Sequence, residues 1–170
     1  MSRSVIPVIG LSLVLFAVSP SSAVAANVPQ EMTAAEFLIG TWNCRHTFGD
    51  DGGIYTTTYE KALDGMWLRQ QYDFAATRTE PAMQGEYFIG YDERVGRWIR
   101  IGAMSDALYF AMVGTRTGDV WSWGYVLPGK TASGAVLYTK KSDTEYVVDG
   151  PTYPRNGTPI TEHHWCTKAR

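Results

Sequence analysis

The residues able to do chemistry are few, and their spacing is mirrored. The chain holds three histidines and two cysteines in 170 residues. Toward its start, Trp42, Cys44, His46 and Phe48 fall at every second position. Toward its end, Glu162, His164, Cys166 and Lys168 do the same. That period places each set on one face of an extended strand. Two thiols carried into an oxidising compartment most simply form a disulfide. If Cys44 and Cys166 oppose each other on antiparallel neighbours, stepping along both strands pairs His46 with His164, Phe48 with Glu162, and Trp42 with Lys168. A slip of one residue would send the second set outside. Two neutral imidazoles and a carboxylate suit zinc or a similar ion with an open position for water. A histidine beside a carboxylate also suits proton transfer. The plainer alternative is two partly buried polar residues, hydrogen-bonded within the fold. The Trp42–Lys168 pair would lay a cation over an indole face, worth about 0.5–2 kcal/mol.

Other signatures are missing or ambiguous. The two cysteines show no Cys-x-x-Cys spacing, and there is neither a Gly-x-Ser-x-Gly elbow nor a phosphate-binding glycine loop. Arg69, Arg97 and Arg100 would hold an anionic head group if they converged, which alternation does not decide. Asn156-Gly157-Thr158 fits a glycosylation acceptor and equally a glycine-containing hairpin loop. Six Trp, ten Tyr and six Phe either line a pocket or fill a barrel wall. The inward positions mix Thr, Tyr, Gln, His and Glu with apolar groups, which favours a modest cavity for a small, partly apolar ligand.

The first 25 residues read as a removable signal peptide. Arg3 supplies the positive end, Val5 to Val18 the apolar stretch, and Ala23-Val24-Ala25 the small-residue cleavage site. The stretch is short of the roughly 20 apolar residues that span a bilayer. Periplasmic or extracellular residence follows. Losing Arg3 moves the formal charge from -2 to -3. The charges are scattered, with no basic stripe for nucleic acid. Residues 26–32 are expected to be a flexible N-terminus, and 33–170 one domain.

The elements that must position these residues are mostly strands. Thr33 with Glu36 fits a capping box on one helical turn, followed by a strand to Phe48. Gly49 to Gly53 reads as a turn and Ile54 to Leu63 as a second strand. Asp64-Gly65 is a tight hairpin signal. Short alternating runs follow over 66–74, 84–91, 97–104, 108–114, 120–127, 135–141 and 144–148. Asp149 to Pro159 reads as a Pro/Gly loop, and Ile160 to Lys168 as the last strand. Hairpin-linked strands without intervening helices predict an all-β fold, an antiparallel up-and-down β-barrel of eight to ten strands. A two-sheet sandwich is the alternative.

Three segments carry a family resemblance. They are Phe37-Leu38-Ile39-Gly40-Thr41-Trp42, Gly90-Tyr91-Asp92 with Trp98, and His164-Trp165-Cys166-Thr167-Lys168. Together they resemble secreted bacterial lipocalin-like proteins of unknown function and, more distantly, nitrobindin-type barrels that bind haem. The resemblance implies a lipocalin/calycin-like barrel, with Lys168 as the basic residue over the first-strand tryptophan. It makes His164 the axial haem position, with His163 one step away. Small glycines follow the tryptophan in nitrobindins, whereas this chain has Cys44 and His46, which either block a haem or add a ligand to it. Three function classes remain open. One is a ligand-binding barrel, with haem or zinc among its possible cofactors. Another is a barrel isomerase, cyclase or hydrolase using His46, His164 or Glu162. The third is a structural or partner-binding domain.

Overall fold

Ten strands follow two short helical pieces, each strand hydrogen-bonded to the next and the last to the first. The computed structural model describes residues 27–49, 51–78, 81–126, 134–155 and 158–170. The expected signal peptide and the Asn156-Gly157 pair lie outside them. Helix α1 spans Gln30–Thr33, and a 3₁₀ turn covers Glu36–Leu38. The strands are β1 (Gly40–Phe48), β2 (Asp51–Ala62), β3 (Trp67–Phe74), β4 (Met83–Asp92) and β5 (Arg97–Met104). Then come β6 (Tyr109–Thr117), β7 (Val120–Tyr125), β8 (Val136–Ser142), β9 (Glu145–Arg155) and β10 (Thr158–Lys168). They form one closed antiparallel barrel in chain order, with β1 against β10. Closure gives every strand two neighbours and excludes the sandwich.

The seam has a definite register. Trp42 faces Lys168, Cys44 faces Cys166, His46 faces His164 and Phe48 faces Glu162. Cys44 and Cys166 are joined as a disulfide with Cα atoms 4.1 Å apart. Trp42, Cys44 and His46 are buried while Thr41, Asn43 and Arg45 are exposed. The alternation in the sequence is therefore the alternation between interior and solvent.

One end of the barrel is plugged. Met32, Ala35 and Leu38 pack into the core with Trp42, Trp98, Met112, Trp121 and Trp123. The Trp42 indole donates to the Leu38 carbonyl at 2.6 Å. Lys168 Nζ donates to the Phe37 carbonyl at 2.9 Å and lies 5.3 Å from the Trp42 ring. The last strand thus pins the N-terminal segment across the barrel end.

Several local expectations are corrected. Helical structure begins at Gln30, and Met32 is buried, so this part of the N-terminus is packed. Thr33 ends a helix instead of capping one, and no side-chain cap bond forms; Glu36 pairs with Lys61 at 2.6 Å. Gly52 and Gly53 belong to β2, where they face Thr47 and His46. Strand β2 ends at Ala62 and not at Leu63; the hairpin expected at Asp64-Gly65 does form between β2 and β3, through a 3₁₀ turn over Leu63–Gly65 with positive φ at all three residues. The stretch read as a Pro/Gly loop extends β9 and β10, with Pro154 opposite Pro159. Among the described residues, this outer part of β9 pairs only with β10. Proline's missing donor is tolerated on such a one-sided strand.

Candidate functional site

A cavity of about 540 Å³ occupies the other half of the barrel. Its upper wall comes from strand ends and connecting loops, including Phe48, Asp51, Thr77, Pro81, Met83, Met104 and Leu108. Thr77, in the β3–β4 connection, donates to Asp51 Oδ2 at 2.9 Å and ties that loop to β2. This end is the mouth; the tryptophan plug lies at the other.

The interior is hollow because its rings lie along the wall. Large rings that line the cavity sit directly opposite glycines of neighbouring strands, among them Tyr72 opposite Gly85, Tyr87 opposite Gly102 and His46 opposite Gly53, and the same pairing recurs in the plugged half at Trp123 and Gly114. A Cβ at Gly85 would stand 2.5 Å from the Tyr72 ring, and one at Gly114 would stand 2.7 Å from Trp123. The ring takes the volume a side chain would fill, leaving space at the centre. Tyr72 and Tyr87 stack at 5.0 Å and share a hydroxyl–hydroxyl hydrogen bond. Burial pushes the Tyr72 hydroxyl up to about 12, so it stays protonated at neutral pH.

The seam supplies one polar wall. His164 is 9% exposed and pairs through Nε2 with Glu162 Oε1 at 2.9 Å. An ionised carboxylate only accepts, so Nε2 carries a proton. Nδ1 of the same ring lies 2.9 Å from the Tyr55 hydroxyl. Tyr55, His164 and Glu162 therefore form one hydrogen-bonded chain on the cavity wall. Burial would raise Glu162, but the hydrogen bond from His164, with the nearby His46 and Arg100, holds it below the ordinary carboxylate value. The Tyr55 hydroxyl is pushed well above its ordinary value, first by burial. It is a proton donor at neutral pH and not a phenolate.

His46 stacks on His164 at 5.7 Å and meets Phe74 edge-on at 5.0 Å. It is 8% exposed, and neither ring nitrogen has a hydrogen-bond partner. Burial, and then His164, lowers its pKa, so it is neutral at pH 7. Phe48 and Glu162 also line the cavity. His163 points outward and pairs with Asp149 at 2.8 Å.

The opposite wall carries the one inward arginine of the three singled out. Arg69 pairs outside with Glu60 at 2.7 Å, and Arg97 is exposed. Arg100 is 8% exposed and lines the cavity. Its Nη2 donates to Gln70 Oε1 at 3.1 Å, and its Nη1 lies 3.9 Å from the Met112 sulfur. The guanidinium sits over Tyr87 at 4.4 Å, with Phe110 and Tyr138 each at 5.3 Å. The sequence offers no direct signal for this aromatic cage, since its members come from β4, β6 and β8. Alternation alone does give Trp98 and Arg100 a shared face.

These residues fit neither proposed metal group. Among the described residues, no set of three or more His, Cys, Asp or Glu side chains is arranged to hold a metal ion. His164, the axial haem position by resemblance, has both nitrogens engaged and none free for iron. His46 Nε2 is wedged at the wall, 3.0 Å from where a Gly53 Cβ would stand.

Fold and site together define a closed ten-stranded antiparallel barrel with a hollow, aromatic-walled interior. Among solved structures, the crystal structure of Rv2717c from M. tuberculosis is similar, with a TM-score of 0.58. The two share 14% identity over 85% of this chain and 100% of that one, a likeness of fold. No family model and no curated protein matches the chain.

Proposed function

We propose that this protein is an exported barrel that binds a small, partly apolar molecule in its interior. The observation that carries this reading is the cavity beside His46. A buried imidazole with two unpaired nitrogens costs about 1–3 kcal/mol for each unsatisfied group. A ligand that gives one nitrogen a donor or acceptor recovers part of that cost. The cavity volume falls in the range of small-molecule sites, and its lining mixes aromatic rings with few polar groups. Export is supported by the disulfide and by the apolar leader in the sequence. Haem and zinc are not the ligands the geometry favours, because both nitrogens of His164 are bonded and, among the described residues, no set of three or more His, Cys, Asp or Glu is arranged to hold a metal ion.

Native mass spectrometry of the oxidised protein tests the reading. The expected result is a one-to-one adduct of a few hundred daltons, released on acidification. Protein that stays empty after exposure to extracts of the exporting cell's surroundings would speak against it.

A second reading rests on the Tyr55–His164–Glu162 chain. Such a chain can take a proton from a bound molecule: the Tyr55 oxygen receives it while the Tyr55 hydroxyl passes its own proton to His164 Nδ1, and Glu162 stabilises the imidazolium formed. Incubating the released molecule with the protein in heavy water separates the two. Uptake of carbon-bound deuterium supports catalysis, and an unchanged molecule supports carriage.

A further inference from the structure

The interior contains a cation whose partner is missing. Arg100 remains ionised in any protein environment. Buried cations are ordinarily paired with a carboxylate. Here, among the described residues, no Asp or Glu lies within ion-pair distance of the guanidinium. Its contacts are one neutral amide, one thioether sulfur and three ring faces. Nε is buried with no acceptor at all. Of the carboxylates that line the cavity, Glu162 is already bonded to His164 and Asp51 accepts from Thr77 at the mouth.

We infer that the cavity takes a singly charged amphipathic organic anion, a carboxylate with an apolar or aromatic body, whose head group pairs with Arg100. This rests on the reading that the barrel binds a small molecule and names its chemical class. Gln70 explains the positioning. Its amide donates to Thr57 Oγ1 at 3.2 Å, and its carbonyl oxygen holds Arg100 Nη2 at 3.1 Å. Thr57 in turn donates to the Gln71 carbonyl at 2.9 Å. The guanidinium is thereby fixed in orientation before any ligand arrives, which lowers the ordering cost of binding. A single charge follows from the count of cations. Among the described residues that line the cavity, Arg100 is the one Lys or Arg, and the Glu162 carboxylate on the far wall disfavours a dianion such as a phosphate monoester. The body of the ligand would lie among Tyr72, Phe74, Tyr87 and Phe110, toward the mouth. His46 then faces the ligand's body, where a polar substituent would meet an unpaired ring nitrogen, while the charged head stays with Arg100.

Isothermal titration of the oxidised full-length protein with two matched pairs tests this. The pairs are decanoate against decan-1-ol, and 2-naphthoate against 2-naphthalenemethanol. At least one acid is expected to bind tenfold or more tighter than its alcohol, the scale of a hydrogen bond to a charged group. Arg100→Met should remove that preference and leave the alcohol's affinity within about twofold. Arg100→Lys, which keeps the charge and loses the fork, should retain part of it. Circular dichroism and the unfolding midpoint establish that each variant is folded. The comparison within the wild-type protein stands even if neither variant folds. Alcohols bound as tightly as acids would overturn the anion assignment and leave a binding barrel intact. If all four fail, and the neutral fluorophore N-phenyl-1-naphthylamine fails with them, both readings fall together.

Discussion

At the scale of single residues, His46 is the group whose burial is least compensated. Its pKa is lowered from the ordinary 6.5 by burial and by His164, against the opposing pull of Glu162 and Asp51. A folded-state value below the unfolded one means that the unfolded chain binds more protons. Stability contributed by neutral His46 is therefore full above pH 6.5 and is lost as pH falls below it. Glu162 is also lowered, from 4.5, so its contribution is present above pH 4.5 and lost as pH falls through its folded-state value. The unfolding midpoint should decline in two stages, below pH 6.5 and again below pH 4.5. His46→Leu, close in volume and free of unpaired nitrogens, should raise stability at pH 7 by about 1 kcal/mol. It should also flatten the first stage. Chemical denaturation across pH 4 to 8 reads both effects, and an unaltered first stage would show that another group controls it.

At the scale of elements, a strand here works through its neighbour's glycine. In an ordinary strand interior, replacing glycine by alanine gains about 0.5–1 kcal/mol from reduced chain entropy. At Gly102 the added methyl would strike both the Tyr87 ring and the Glu86 carbonyl, and a backbone atom does not move aside cheaply. Gly102→Ala is expected to cost about 1–3 kcal/mol instead. The same substitution at Gly118, a solvent-side turn with open space around it, meets no atom but a positive φ of 57°. Its cost should be conformational only, and smaller. Thermal melts of the two variants give the comparison. A second element-scale contact is Lys168, which joins the last strand to the N-terminal plug. Lys168→Met should lose about 1–2 kcal/mol, mostly the charge-assisted bond to the Phe37 carbonyl.

The seam was legible in the sequence because three signals agreed there. Two cysteines, two alternating faces and a Gly-x-Trp start all point to the same register of β1 against β10. The mouth was less legible. Proline and glycine at 149–159 look like a loop to any local rule, and only one-sided pairing makes a strand of them. Gly52 and Gly53 read as turn residues, whereas Gly53 is what admits the His46 ring. Tyr55 and Gln70 escaped the candidate site for a related reason, and Arg100 entered it only as one of three arginines that alternation did not separate. Their neighbours lie one or two strands away around a closed wall, and hairpin periodicity carries no information about contacts across the bore.

At the scale of the whole molecule, one covalent link closes the circle. The disulfide joins residues 122 apart, and the chain-entropy account assigns such a loop about 4–5 kcal/mol. Replacing both cysteines by alanine should cost about 2–5 kcal/mol. The barrel should still form, because seven residue pairs on β1 and β10 hold the seam without it. The wall of the cavity should loosen first at His46 and His164, one step above the bridge. Hydrogen exchange of the β1 and β10 amides, with and without reductant, follows this.

The proposed function requires the upper half of the barrel to be an open binding space rather than a filled core. The most direct measurement is fluorescence titration of the oxidised protein with the neutral fluorophore N-phenyl-1-naphthylamine. A saturable one-to-one enhancement, with the emission shifted to the blue, is the expected result. No enhancement up to the solubility limit, from protein whose tryptophan emission shows it folded, would mean that the barrel does not take a small apolar molecule.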